Sequence, residues 1–347
     1  MQIRRAVLHG KGDLRIESSD LSEDLAPDQV LVETQVSALS TGTDLGNYLG
    51  DSTYVPGAPG YPRWVGYSNV GRIVAAGANV SKLKPGDRVF STKPHQSAYI
   101  ASDNELLVRI PEAVSSEQAS LSYLTGLGLA ALRHARYETG ENVAVIGLGV
   151  IGLSAIGLAK AMGASVIGVA NSRIRAEAGQ QMGALRCLLS SSGDIAESAR
   201  EMFHGADADI VILTSNSWDS YFLALDLVRH GGRVAILGFP GRGEPMPSRN
   251  PLDPSPFYSK QLTLMGSGFS SRVECGPQDL RFNLRRNLEY ILDLMASKRL
   301  NLEPLISHRV PYRRMRETYE LAKEHSKELI AAVFEWTSPK SRDNRPD

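Results

Sequence analysis

The stretch Val143–Arg173, VAVIGLGVIGLSAIGLAKAMGASVIGVANSR, decides how this chain folds. Four apolar residues, Val143–Ile146, run directly into Gly147, Gly149 and Gly152, the spacing G-x-G-x-x-G. A helix-period segment follows, and a second apolar run, Ser165–Val169, closes the unit. Strand, glycine turn, helix and strand in that order are the context a dinucleotide-binding fingerprint requires. The first glycine permits a tight turn, the second lets a pyrophosphate approach the backbone, and the third lets the helix pack close to the strand. The N–H groups of Val150, Ile151 and Gly152 then open the helix, where unpaired donors and the dipole favour an anion.

The end of the second strand chooses between nicotinamide cofactors. A carboxylate about 20 residues past the first glycine would accept from the ribose 2′-hydroxyl. This chain has Ala170, Asn171, Ser172 and Arg173 there, with Arg175 close by. A hydroxyl and two guanidiniums suit a 2′-phosphate better than a 2′-hydroxyl. The plainer alternative is that both arginines are solvated charges at a helix start. The missing acid favours NADP(H). Thr125, and Thr214, Gly238 and Phe239 in the later apolar runs, complete the candidate cofactor set.

Outward from this unit the texture differs on the two sides. Beyond it, Ala208–Thr214 (ADIVILT) and Arg233–Phe239 (RVAILGF) are further apolar runs separated by helix-length stretches. That alternation argues for a parallel sheet covered on both faces. Before it, Gln29–Thr34, Asn69–Ala75 and Asp87–Ser91 are short strand-like runs punctuated by Gly and Pro. Gly46–Tyr61 holds four Gly, two Pro and three Tyr, the composition of an ordered loop that borders something. Near the carboxyl end, Leu288, Ile291, Leu292 and Met295 share one helix face. A helix near Met315–Ser326, a strand in LIAAVFEW and a polar tail, TSPKSRDNRPD, expected to fray, complete the chain.

Length and composition narrow the functional classes. At 347 residues there is room for two domains, and 42% hydrophobic with 22% charged residues is ordinary for a globular protein. Formal net charge is zero, so nucleic acid and anionic membrane are unexpected partners. The start carries no apolar run of signal-peptide length, and no segment approaches a membrane span. Cys187 and Cys275 form no paired motif, which points to a reducing, cytoplasmic compartment and away from thiolate metal sites.

Together these features resemble the medium-chain dehydrogenase/reductase family over nearly the whole chain. The β-rich first part, Lys84–Val89 (KPGDRV), the glycine-turn unit and the carboxyl-terminal return carry the resemblance, with His230–Gly238 and Lys260–Ser267 similar to the last strands of the family's cofactor domain. It implies an α/β fold, a Rossmann doubly wound parallel sheet plus a GroES-like β-barrel catalytic domain. The expected domains are 1–121, 122–268 and a return at 269–347. A homodimer is also implied, since the Lys260–Ser267 strand often pairs across a dimer interface.

Zinc-dependent members draw catalytic ligands from three motifs, and this chain keeps the frames without the ligands. Thr41-Gly42-Thr43-Asp44 puts Thr where the family has Cys. Gly66-Tyr67-Ser68-Asn69-Val70-Gly71 puts Tyr and Ser in place of His and Glu, and Leu121 takes the place of a second Cys. No cysteine lies between Phe90 and Pro111, so the family's structural zinc lobe is missing as well. Zinc wants thiolate, imidazole or carboxylate ligands, and the sequence predicts none bound, placing the chain in a zinc-independent, alcohol-dehydrogenase-like branch.

Without a Lewis acid, hydrogen-bond donors must hold the substrate oxygen and a general acid must protonate it. Thr43 matches the family's proton-relaying hydroxyl, and Tyr67 occupies a former ligand position. Asp44 matches an acid behind the metal, or else anchors the helical turn after it. His95 lies on the segment similar to the edge of the family's substrate pocket, or else is a buried structural histidine. Tyr54, Tyr61, Trp64, Tyr123 and His308 rank below these four. Three activities stay open: carbonyl or alcohol redox chemistry on a small organic substrate, reduction of a polarised C=C, and non-catalytic NADPH binding.

Overall fold

The computed structural model describes residues 1–50, 59–268 and 283–336. The chain divides into two compact units, Met1–Tyr123 with Ile306–Asp347, and Leu124–Leu305. The first boundary falls close to the expected 121/122. The second falls well beyond the expected 268/269, because the helix Leu284–Ala296 belongs to the cofactor unit. Its apolar face explains this: Leu288 and Ile291 lie nearest to Gly126, in the same unit. Tyr54, Cys275, the middle of the Gly46–Tyr61 stretch and the polar tail lie outside the described residues.

Among the described residues, unit Leu124–Leu305 is built on a six-stranded sheet. Its order is Arg186–Leu189, Ser165–Ala170, Asn142–Ile146, Ala208–Leu213, Val228–Ile236 and Thr263–Gly266. Every pairing is parallel, and the order reverses direction beside Asn142–Ile146, the switch point where ligands bind in such sheets. Val143, Ala144, Val145 and Ile146 are all buried, as expected of a central strand covered on both faces. The helix Val150–Ala161 follows directly and is buried continuously from Gly152 to Ala159. Gly128 fits it closely, since a Cβ there would stand 3.2 Å from Ala155 Cα.

The other unit is antiparallel for most of its strands. Its larger sheet runs Ile306–Pro311, Ala331–Glu335, Gln29–Ala38, Asn69–Ala76, Arg88–Ser91 and Leu107–Arg109, with Ala98–Ser102 also paired to Gln29–Ala38. The three strand-like runs read from the sequence are all there, within a few residues at their ends. A smaller sheet joins Asp13–Asp20, Gln2–Gly10 and Arg63–Trp64. Tyr48, Tyr319, Phe334 and Leu39 are fully buried in the core between the short helix Thr43–Leu49 and the strand Ala331–Glu335. This packing fixes both ends of the Thr41–Asp44 motif.

Candidate active site and cofactor turn

The cofactor turn is a backbone construction. Gly147 has φ +91°, a left-handed value open to glycine. A Cβ on Gly152 would stand 2.0 Å from the Gly147 carbonyl oxygen, so the helix can start there only without a side chain. Gly149 caps the helix Val150–Ala161 with no side-chain hydrogen bond. The first N–H groups, those of Val150, Ile151 and Gly152, therefore face outward as anion donors. These features fit a dinucleotide pyrophosphate.

Thr214, just after the neighbouring strand Ala208–Leu213, braces the turn, and Gly238 packs behind it on Ser215. The Thr214 hydroxyl donates to Gly147 O at 2.5 Å, and its N–H to Ile146 O at 2.9 Å. Gly238 packs where a Cβ would stand 2.2 Å from Ser215 O. Phe239 is exposed, its N–H donating to Asn216 Oδ1 and the Arg242 guanidinium lying 3.8 Å from its ring centroid. Thr125 is buried, and among the described residues its hydroxyl has no hydrogen-bond partner.

At the end of Ser165–Ala170 the three polar candidates separate. Ser172 caps the helix Arg173–Gln181, its Oγ accepting from Arg175 N at 3.5 Å, so this hydroxyl already has a structural role. Arg175 turns inward: its Nη1 lies 3.5 Å from Leu148 O and beside Gly149, and burial lowers its pKa. Asn171 and Arg173 remain exposed at the strand end. Arg173 thus stands exposed at the strand end, and Arg175 lies beside the glycine turn.

The second site is made of side chains. The former ligand positions do not converge as donors. Leu121 is fully buried core, and the Ser68 hydroxyl donates to Ser120 O at 2.7 Å. Tyr67 remains partly accessible, and its hydroxyl donates to Ser40 Oγ at 2.6 Å. Thr43, the first residue of its helix, lies close enough for its hydroxyl to favour the ionised Tyr67 phenol, and Tyr123 packs edge-on against the Tyr67 ring with centroids 5.1 Å apart. Burial first, then the Asp44 charge, push the Tyr67 phenol well above its ordinary pKa. It stays protonated, and so remains a donor, across the neutral range.

Asp44 and His95 lie behind this cluster rather than in it. Each is 1% exposed, away from anything a substrate could touch. Asp44 Oδ2 accepts from Ser40 N at 2.9 Å and Oδ1 from Gly66 N at 3.0 Å. His95 Nδ1 meets Ser37 Oγ at 2.8 Å, which in turn accepts from Trp336 Nε1 at 2.8 Å. The His95 ring lies flush against Gly66, where a Cβ would stand 2.5 Å from it, and it packs edge-on to Phe334. His95 Nε2 approaches Asp44 Oδ2 at 3.8 Å, too far for a hydrogen bond. Burial dominates both groups, pushing Asp44 up to about 7 and His95 down to about 3. The expectation that His95 edges the substrate pocket gives way to its plainer alternative, a buried histidine. His308 lies in the strand Ile306–Pro311, its ring beside Ser307 Oγ.

Three polar residues escaped the sequence reading. Ser40 was legible in principle, as the first of three hydroxyls in Ser40-Thr41-Gly42-Thr43. Ser37 and Trp336 meet 299 positions apart, and no local pattern signals that.

Comparison with known proteins places these two sites in a family. The model described as zinc-binding dehydrogenase matches residues 150–284, and that of the alcohol dehydrogenase GroES-like domain matches 26–132. The chain belongs to the medium-chain dehydrogenases/reductases of the alcohol-dehydrogenase type. As such it is an oxidoreductase. Sorbitol dehydrogenase of Bacillus subtilis (strain 168) is 26% identical over 281 residues, 70% of this chain and 76% of that protein. Two solved structures share the fold. A dehydrogenase from Sinorhizobium meliloti 1021 bound to NADP has TM-score 0.77 at 20% identity, covering 96% of this chain and 99% of that one. An alcohol dehydrogenase from E. coli CFT073 complexed with NADH has TM-score 0.76 at 18% identity, covering 96% and 99%.

The family model is a zinc-binding one, so the comparisons do not place this chain in a zinc-free branch. Its own residues bear on the metal instead. At the four ligand positions stand Thr41, Tyr67, Ser68 and Leu121, which offer no thiolate, imidazole or carboxylate. Among the described residues, no group of three or more His, Cys, Asp or Glu is placed to hold a metal ion. This donor set does not fit zinc. Among the described residues, no helix is long and apolar enough to cross a membrane.

Proposed function

We propose that this protein is an NADP(H)-dependent oxidoreductase that moves a hydride to or from the carbonyl or alcohol carbon of a small organic substrate without a catalytic zinc. The observation that carries this reading is the hydroxyl cluster in which Tyr67, at one of the four ligand positions, meets Ser40 and Thr43. When bound, the nicotinamide supplies or accepts the hydride. The chain's own residues handle the oxygen. Tyr67 and Thr43 hydrogen-bond it; in reduction the Tyr67 phenol gives it a proton and becomes a phenolate, and in the reverse direction that phenolate takes the proton of the substrate hydroxyl. Such general-acid assistance is worth about 10²–10⁴ in rate.

NADP(H) rests on the charge at the end of Ser165–Ala170, with Arg173 exposed and no acid to repel a 2′-phosphate. The sorbitol dehydrogenase relative supports a polyol or related secondary alcohol as substrate class. A cytoplasmic homodimer completes the proposal, the second copy adding to the edge strand Thr263–Gly266. Turnover of sorbitol, butane-2,3-diol, fructose, acetoin and 2-cyclohexenone with each cofactor, alongside elemental analysis, tests this reading. It expects NADP(H)-linked turnover of an alcohol–ketone pair, far less than one zinc per chain and indifference to chelators. Stoichiometric zinc with chelator-sensitive activity would refute the zinc-free mechanism. Turnover of 2-cyclohexenone alone would replace carbonyl chemistry with C=C reduction.

A further inference from the structure

Ser40 has no proton-transfer part in this chemistry, yet its buried hydroxyl is hydrogen-bonded directly to Tyr67. Its side chain is 4% exposed and accepts the Tyr67 proton at 2.6 Å. Its backbone is locked to Asp44 in both directions. Ser40 N donates to Asp44 Oδ2 at 2.9 Å, and Asp44 N donates to Ser40 O at 3.0 Å. The other Asp44 oxygen takes Gly66 N at 3.0 Å, the residue before Tyr67. One buried carboxylate therefore ties together the two loops whose hydroxyls meet. The Gly66 end has little slack, because its φ of +88° and the His95 ring beneath it exclude any side chain.

We propose that Ser40 is a positioning residue for Tyr67, fixing the direction of its hydroxyl, and that Asp44 holds Ser40 and the Tyr67 loop in register for that purpose. This rests on the reading of Tyr67 as the group that exchanges a proton with substrate. A phenolic O–H lies near the plane of its ring and has two directions to choose from. Ser40 Oγ occupies one of them, and because both groups are hydroxyls the bond can reverse: when Ser40 turns its own hydrogen to the phenol oxygen, the Tyr67 hydrogen takes the other direction, toward the substrate oxygen. A free hydroxyl would have to be oriented at each turnover, and preorganised donors avoid that cost. The arrangement also explains why the Thr41–Asp44 frame keeps its acid although the ligand it once stood behind is gone. The carboxylate now serves two backbone donors and, through them, two hydroxyls.

A double-mutant cycle on the full chain tests this, read as kcat and KM on the substrate turned over fastest among sorbitol, butane-2,3-diol, fructose and acetoin. Ser40→Ala should lower kcat about tenfold, the scale of one hydrogen bond, leaving NADPH affinity unchanged. Tyr67→Phe should lower kcat by about 10²–10⁴. In the Tyr67→Phe background Ser40→Ala should cost nothing more, because its partner is gone. Ser40→Thr, which keeps the hydroxyl, should restore most of the rate, and Ser40→Cys serves if the alanine variant does not fold. Wild-type kcat in Ser40→Ala, or an equal loss in both backgrounds, overturns the positioning role while the reading of Tyr67 stands. Wild-type kcat in Tyr67→Phe removes both.

Discussion

The glycine turn and the hydroxyl cluster sit in different units of one chain and encode function in different ways. The turn at Gly147–Gly152 presents backbone N–H groups, and steric exclusion fixes its first and last glycines: a Cβ on Gly152 meets a carbonyl at 2.0 Å and one on Gly147 the Thr214 hydroxyl at 2.7 Å. The cluster around Tyr67 presents side chains on a frame that Asp44 holds by hydrogen bonds to Ser40 and Gly66. A frame of that kind tolerates exchange of what it presents. Four ligand positions have become Thr41, Tyr67, Ser68 and Leu121 while the strands and the helix Thr43–Leu49 around them still form. Backbone-built sites thus keep their chemistry as long as they keep their shape, whereas side-chain sites can change chemistry within an unchanged fold.

The largest expected effect probes the buried frame. Asp44 has its pKa raised from 3.8 to about 7, chiefly by burial. The folded state therefore binds more protons than the unfolded state between about pH 4 and 7, so this group's contribution to stability falls as pH rises through that window. His95 works oppositely: lowered from 6.5 to about 3 by burial, it makes stability rise with pH between about 3 and 6.5. Over the shared window the two slopes offset one another. Asp44→Asn removes one of them. Its stability relative to the unsubstituted protein should climb by up to about 1.4 kcal/mol per pH unit from about pH 4 to 7, measured by urea denaturation across pH. Tyr67 and Tyr319, the other titratable groups that feel Asp44, are raised above their ordinary range and do not titrate there. A difference curve flat with pH would mean that Asp44 is ionised throughout, and that the two backbone donors outweigh its burial.

The next effect tests how far side chains matter on the cofactor side. Arg173→Ala should weaken NADPH binding and leave NADH nearly unmoved, because a hydrogen bond to a charged phosphate is worth roughly 1.5–3 kcal/mol. That is about ten- to a hundredfold in affinity, readable by fluorescence titration with each cofactor. Equal affinity for both cofactors before substitution would contradict the charge argument at Ala170–Arg173. A loss in Arg175→Ala matching that in Arg173→Ala would show that the inward guanidinium beside Gly149 also reaches the phosphate.

The two regions also differ in how much of them the sequence reveals. The Rossmann unit could be read locally, because strand, turn and helix follow one another within Val143–Arg173, and Gly152 answers the carbonyl of Gly147 five residues before it. The strands of the other unit were legible from their period and punctuation, and the exchanged ligands from their frames. What stayed hidden depends on distance along the chain. Nothing near Ser37 announces Trp336 or His95, and nothing near His95 says that Gly66 will cover it. The same holds for the helix Leu284–Ala296. Its amphipathic face is plain in sequence, but which core it joins depends on Gly126 and other residues far upstream.

The smallest effect bears most directly on the contrast. Thr214 braces the first glycine of the turn through a hydroxyl, donated to Gly147 O at 2.5 Å. If the turn is held by its backbone, this bond is an accessory. Thr214→Val keeps the shape and the N–H bond to Ile146 O and removes only the hydroxyl. A single neutral hydrogen bond contributes about 0.5–1.5 kcal/mol, so NADPH affinity should fall by roughly two- to tenfold, with kcat nearly unchanged. Isothermal titration with NADPH reads the first quantity and steady-state turnover the second. A loss well beyond tenfold would mean that the turn collapses without its brace. The cofactor site would then depend on side chains as the Tyr67 cluster does, and the distinction between the two regions would fail at the residue where it is easiest to test.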